Sequence, residues 1–204
     1  VSLLSGIFTD AAGNLNADGS DTNNLVSIAV DTVLPTIALS ANKSSLIAGD
    51  TTTVTFTLSE ASTTFTAADV LVSGGTISNF AGSGTNYIAL FTPTANSTAN
   101  GVVSVASGVF TDSAGNANAD GADTNNAISL VVDTALPTIA LSTSKSSLIA
   151  GESATLTFVL SEASTTFLVT DVSISGGTLS NFTGSGVAYA ATFIPADNSN
   201  ANGI

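Results

Sequence analysis

Thr53-Val54-Thr55-Phe56-Thr57-Leu58 alternates threonine with a large apolar residue. Successive side chains of an extended chain point to opposite faces, so Val54, Phe56 and Leu58 read as a buried face and Thr53, Thr55 and Thr57 as a solvated one. Branched and aromatic residues fit a pleated, half-buried surface, which makes the segment a strand. Similar short runs occupy residues 36–39, 69–73, 86–92, 102–110 and 127–132, each bounded by turn residues such as Ser73-Gly74-Gly75 and Asn100-Gly101. Helical periodicity is absent. Six or seven strands in about 100 residues predict an all-β chain folded as a β-sandwich.

The sequence also repeats itself. LPTIALS beginning at Leu34 returns at Leu136, KSSLIAG at Lys43 returns at Lys145, and LSEASTTF at Leu58 returns at Leu160. GIFTDAAGNLNADGSDTNN from Gly6 returns as GVFTDSAGNANADGADTNN from Gly108. Every pair is offset by 102 residues without a gap, and about two-thirds of the aligned positions are identical, the mark of a tandem array. Within residues 86–92, Tyr87 and Phe91 keep aromatic counterparts in Tyr189 and Phe193, while Ile88 and Leu90 become Ala190 and Thr192. Tyr87 and Phe91 are therefore assigned to the core and Ile88 and Leu90 to the surface.

A proline after each VDT segment, Pro35 and Pro137, stiffens the approach to a first strand and denies it a ladder donor. Boundaries are expected at residues 31–33 and 133–135. The chain divides into the last two strands of one domain (1–32), a complete domain (33–134) and the first five strands of another (135–204). Both ends fall within the apolar run VVSVASGVF of the intact copy. The reading expects a longer array, or neighbouring chains that complete each other's sheets head to tail, since an unpaired strand edge is a liability.

Composition narrows the chemistry. The 204 residues hold 15 Asp plus Glu, two lysines, no His and no Cys, for a formal charge of -13. That removes imidazole bases, thiolate nucleophiles and the usual zinc, haem and iron–sulfur ligand sets. Nucleic acid is excluded as a partner, because its affinity comes from Lys and Arg displacing condensed counterions. Metal cations are the natural counterions. No apolar run approaches the ~20 residues of a membrane helix, so no membrane insertion is expected in this segment.

The order DTxxPT, TFTLSEAS, a DV-containing strand, GGT, FTPT and the closing Phe110-Thr111-Asp112-Ser113-Ala114-Gly115-Asn116 resembles the bacterial immunoglobulin-like repeats of giant surface adhesins and biofilm-associated proteins. The resemblance covers the whole chain. It implies tandem immunoglobulin-like β-sandwich repeats of 102 residues, an extracellular location at the bacterial cell surface, no enzymatic activity, and stalks stiffened by calcium between domains. The disulfide and core Trp of antibody domains are missing, so only the sandwich architecture carries over.

In a seven-stranded sandwich the loop after the second full strand, near Glu60, and the loop between the last two strands, residues 112–126, lie at the end where Asp31 joins the domain. Carboxylates from three elements converge there, and like charges within ~6 Å disfavour one another unless a cation compensates. Oxygen-only ligand sets suit calcium. The preferred site is Asp31, Glu60, Asp112 and Asn116; Asp133 and Glu162 repeat part of it, and Asp10 and Asn14 belong to the preceding copy.

Asn116, Asn118 and Asp120, followed by Gly121, resemble the first half of an EF-hand loop, but Ala127 stands where its bidentate Glu belongs. Asn14, Asn16 and Asp18 repeat the pattern, with Asp21 and Asp123 as possible extra ligands. The same residue types build long β-connections without any metal, and the sequence leaves both readings open. Asp69 and Asp171 are expected to cap or orient the following strand, and Lys43 and Lys145 to serve solubility.

The functional expectation is a calcium-rigidified structural repeat of a surface adhesin or fibre, serving adhesion and biofilm cohesion beside neighbouring copies of itself. A filament subunit joined by strand complementation is the alternative, and a glycan-binding module a further one.

Overall fold

The computed structural model describes residues 1–17, 23–120, 123–198, 200 and 203. It divides into two compact units, Val1–Thr94 with Ala99–Asp133, and Ala95–Thr98 with Thr134–Ile204. Among the described residues no helix is long and apolar enough to cross a membrane.

The first unit contains a two-sheet sandwich. Its strands are β1 (Ile37–Ala41), β2 (Ser45–Ile47), β3 (Thr52–Ser62), β4 (Val70–Ser73), β5 (Gly75–Pro93), β6 (Gly101–Val105) and β7 (Ala127–Asp133). One sheet has the order β1-β3-β5 and the other β2-β7-β6-β4. The pairing of β2 with β7 is parallel; the other ladders are antiparallel. This is the immunoglobulin-like arrangement, in which the opening strand is shared between both sheets.

The alternation read from the sequence fills the space between the sheets. Val54, Phe56 and Leu58 are buried, as are Tyr87, Ala89 and Phe91, whereas Ile88 faces solvent and Leu90 is half-buried. From the opposite sheet come Val103, Val105, Leu130 and Val132. Phe65 lies at the centre of an aromatic group with Phe56, Phe80, Tyr87 and Phe110, its ring centroids 5.1 to 5.6 Å from theirs, mostly edge to face. The Tyr87 hydroxyl satisfies itself on the Ser62 carbonyl at 2.7 Å.

Three strand limits differ from the sequence reading. The apolar run 102–110 is not one strand: β6 stops at Val105 and the chain turns through Gly108, whose φ of +81° suits glycine. Asp69 belongs to a 3-10 turn, Ala67–Asp69, and its Oδ2 accepts the Thr66 amide at 2.7 Å, so it caps the turn that launches β4. Residues 86–92 are the second half of a longer extended run that folds back on itself. A Cβ on Gly75 would stand 2.5 Å from the Thr92 carbonyl, and one on Gly82 would stand 2.3 Å from that of Asn86.

The second unit repeats the first half of this plan. Strands β8 (Ile139–Thr143), β9 (Ala154–Ser164) and β10 (Gly177–Pro195) form a sheet of order β10-β9-β8. Tyr189 donates to the Ser164 carbonyl at 2.7 Å, as Tyr87 does to Ser62. Both lysines are tied into ion pairs, Lys43 with Asp50 and Lys145 with Glu152.

Candidate metal centre

Asp31, Glu60 and Asp112 come from three elements of the first unit. Asp31 precedes Pro35 and β1, Glu60 sits near the end of β3, and Asp112 opens the turn after Phe110. One carboxylate oxygen of each lies within 4.8 Å of the others. Asp112 is buried, Glu60 half-buried and Asp31 exposed, so the cluster opens to solvent on the Asp31 side.

The turn that presents Asp112 is built by Asp112 itself. Its Oδ1 accepts the amides of Ala114, Gly115 and Asn116 at 2.8 to 2.9 Å, and its Oδ2 accepts Asn116 Nδ2 at 2.8 Å. The Asn116 side chain and these backbone donors hold the Asp112 carboxyl below its ordinary range. Glu60 has the opposite surroundings. Burial, the Asp31 charge, and the hydrogen bond and charge of Asp112 push its carboxyl up. Glu60 is thus the group on which the repulsion falls.

Hydroxyls neighbouring the cluster fasten the Asp112 turn to β3. Ser62 Oγ donates to the Thr111 carbonyl at 2.6 Å, and the Thr111 amide donates to Thr64 Oγ1 at 2.8 Å. The sequence reading missed these residues, although Ser62 and Thr64 lie inside the repeated LSEASTTF run.

The other candidates are occupied differently. Asn116 Nδ2 contacts Asp112 and, at 3.3 Å, the Asp31 carbonyl, so its amide nitrogen faces the carboxylates. Asn118, fully buried, accepts the Val109 and Phe110 amides on Oδ1 at 2.9 and 3.1 Å and donates to the Ala106 carbonyl at 2.9 Å. Asp120 accepts the Ile37 amide at 2.7 Å, and its buried Oδ2 has no hydrogen-bond partner among the described residues. Three side chains of the expected EF-hand-like half-loop therefore take three separate tasks on backbone or neighbouring groups. A long loop between sheets needs such acceptors for amides that no ladder satisfies.

Asp123 is spent on the Asn125 amide and side chain. In the earlier copy, Asp10 and Asn14 rebuild the Asp112 turn, and Asn16 repeats every bond of Asn118, with Ile7, Phe8 and Leu4 as partners. Asp18 and Asp21 lie outside the described residues. Asp133 is exposed at the end of β7 and Glu162 half-buried on β9.

The family model described as bacterial Ig-like domain matches residues 31–129 and 133–204. The chain belongs to the bacterial Ig-like domain family. Each match to the bacterial Ig-like domain starts at the Asp of a DT motif, Asp31 or Asp133. The search of curated proteins returns no match. Among solved structures, FdeC, an adhesin of Escherichia coli, is similar with a TM-score of 0.44 and 18% identity. The similarity covers 78% of this chain and 56% of that one, so this chain spans little more than half of the FdeC structure.

Proposed function

We propose that this chain is a non-enzymatic spacer of a bacterial surface adhesin or fibre, in which calcium bound by Asp31, Glu60 and Asp112 stiffens the join between successive domains. The convergence of the three carboxylates carries the reading. Asp31 precedes the first strand of its domain, while Glu60 and Asp112 belong to the sandwich itself. An ion held by all three fixes the approach of the chain to that sandwich. Hard oxygen ligands in an irregular, partly open arrangement favour calcium over the stricter octahedral demand of magnesium. Tandem family matches support a stalk role, and an extracellular location follows from it.

Thermal unfolding tests this reading. An ion that binds only the folded state adds RT ln(1 + [L]/Kd), about 2.7 kcal/mol at a hundred times Kd. Calcium raises the Tm of the wild-type chain, EDTA reverses the rise, and Glu60→Gln abolishes it. A Tm indifferent to both calcium and chelator overturns the proposal.

A further inference from the structure

The opening and closing segments of the first sandwich lie side by side and run the same way. Along residues 35–47 and 119–133 their contacts advance together. The Ala119 amide donates to the Pro35 carbonyl at 2.9 Å, the Ile37 amide to Asp120 Oδ1 at 2.7 Å, the Leu39 amide to the Asn125 carbonyl at 2.8 Å, and the Val131 amide to the Ser44 carbonyl at 2.8 Å. The parallel ladder of β2 and β7 continues the series, from Ser45 beside Val131 to Ile47 beside Asp133. Where β1 lacks a ladder on this side, a side chain stands in: Asp120 supplies the acceptor that the buried Ile37 amide needs.

The direction of this seam decides how it meets tension. The chain enters the sandwich before Pro35 and leaves it after Asp133. These points lie at opposite ends of the seam, because Pro35 is beside Ala119 and Ile47 beside Asp133. Pulling entry and exit apart therefore slides one segment along the other. Every bond of the series is then stretched at once, whereas an antiparallel hairpin pulled at its two neighbouring ends opens one bond after another. Buried side chains on the inner face, Ile37 and Leu46 from one segment and Leu130 and Val132 from the other, keep water from replacing a stretched bond.

We infer that this seam, residues 35–47 against residues 119–133, is the element that withstands tension along the chain, so that the domain transmits pulling force as well as setting a distance. The spacer reading supplies the use for such a seam, while its geometry stands without that reading and without calcium, since Asp31 precedes the loaded stretch. Asp120, which the carboxylate cluster leaves aside, acts here as a strut between the two segments. Resistance of this kind is set by the barrier to unfolding, not by equilibrium stability.

Single-molecule pulling on the 204-residue chain in EDTA tests the inference. The sequence holds no cysteine, so a pair of introduced cysteines defines where force acts. Val33→Cys with Leu136→Cys loads the seam lengthwise, and Val33→Cys with Thr124→Cys peels it from one end; all three positions are exposed. Lengthwise rupture is expected at about twice the peeling force or more, because the bonds share the load instead of meeting it in turn. Val131→Pro removes the amide that bonds Ser44. It is expected to speed lengthwise unfolding at fixed force about fivefold, the worth of one hydrogen bond, and to leave peeling, which starts at the Pro35 end, nearly unchanged. Circular dichroism verifies that the variant folds, and the comparison of directions needs no substitution within the seam. Equal rupture forces in the two directions overturn the inference, as does a Val131→Pro chain weakened alike in both. Neither result touches the calcium dependence of Tm, so the two readings fail separately.

Discussion

Replacing Asn118 by alanine separates its two readings, metal ligand and backbone organiser. The substitution removes the acceptor of the Val109 and Phe110 amides and the donor to the Ala106 carbonyl. Phe110 is fully buried, so its amide is left without any partner, at a cost of about 1–3 kcal/mol. Val109 and Ala106 are exposed enough for water to replace part of what is lost, and each adds about 0.5–1 kcal/mol. The sum is about 3 kcal/mol, or roughly 15 °C in Tm for a sandwich of this size. Asn16 makes the same bonds at the exposed end of the chain, and Asn16→Ala is expected to cost under about 1 kcal/mol. Urea unfolding followed by tyrosine fluorescence measures both, with and without calcium. Equal losses for the two variants, or an Asn118→Ala protein of wild-type stability that no longer responds to calcium, refute the reasoning.

Acidity gives a further test at Glu60. Its carboxyl is raised in the folded chain, so the stability it contributes is present while it is protonated and lost as pH climbs through the raised value. Asp112, held low, is already ionised at that point. In EDTA, Tm is expected to fall as pH rises from 4.5 towards neutrality, and calcium is expected to remove the fall by taking the place of the proton. Parallel profiles in the two buffers contradict this. Gly75→Ala places a Cβ 2.5 Å from both the Phe91 ring and the Thr92 carbonyl, and a cost of about 1–3 kcal/mol is expected by chemical denaturation. No measurable loss there indicates that Phe91 repacks freely.

The sandwich was legible because its signal is local. Val54, Phe56 and Leu58 declare a buried face by spacing alone, and the exchange of Ile88 and Leu90 for smaller residues separates core from surface in β5. The carboxylate cluster was legible at one remove, since sandwich connectivity brings the approach to β1, the end of β3 and the turn after Phe110 to one end. The break after Val105 was hidden within an unbroken apolar run. It depends on Gly108 and on a hold from Asn118, whose partners Val109 and Phe110 are nine and eight residues away. The roles of Asn116, Asn118 and Asp120 were equally hidden: an oxygen that suits a cation also suits an amide, and only the fold decides which it meets. Lys43 and Lys145 also do more than promote solubility. Each closes an ion pair seven residues on, and the pair survives the exchange of Asp50 for Glu152.

Those two lysines carry a consequence for proteolysis. Trypsin-like proteases place a cationic side chain in an anionic pocket before they cut. Here they find two such side chains in 204 residues, both engaged by a carboxylate seven positions downstream. Digestion by that class of enzyme has to break an ion pair before it can bind either lysine, so the chain resists it by chemistry before fold stability enters.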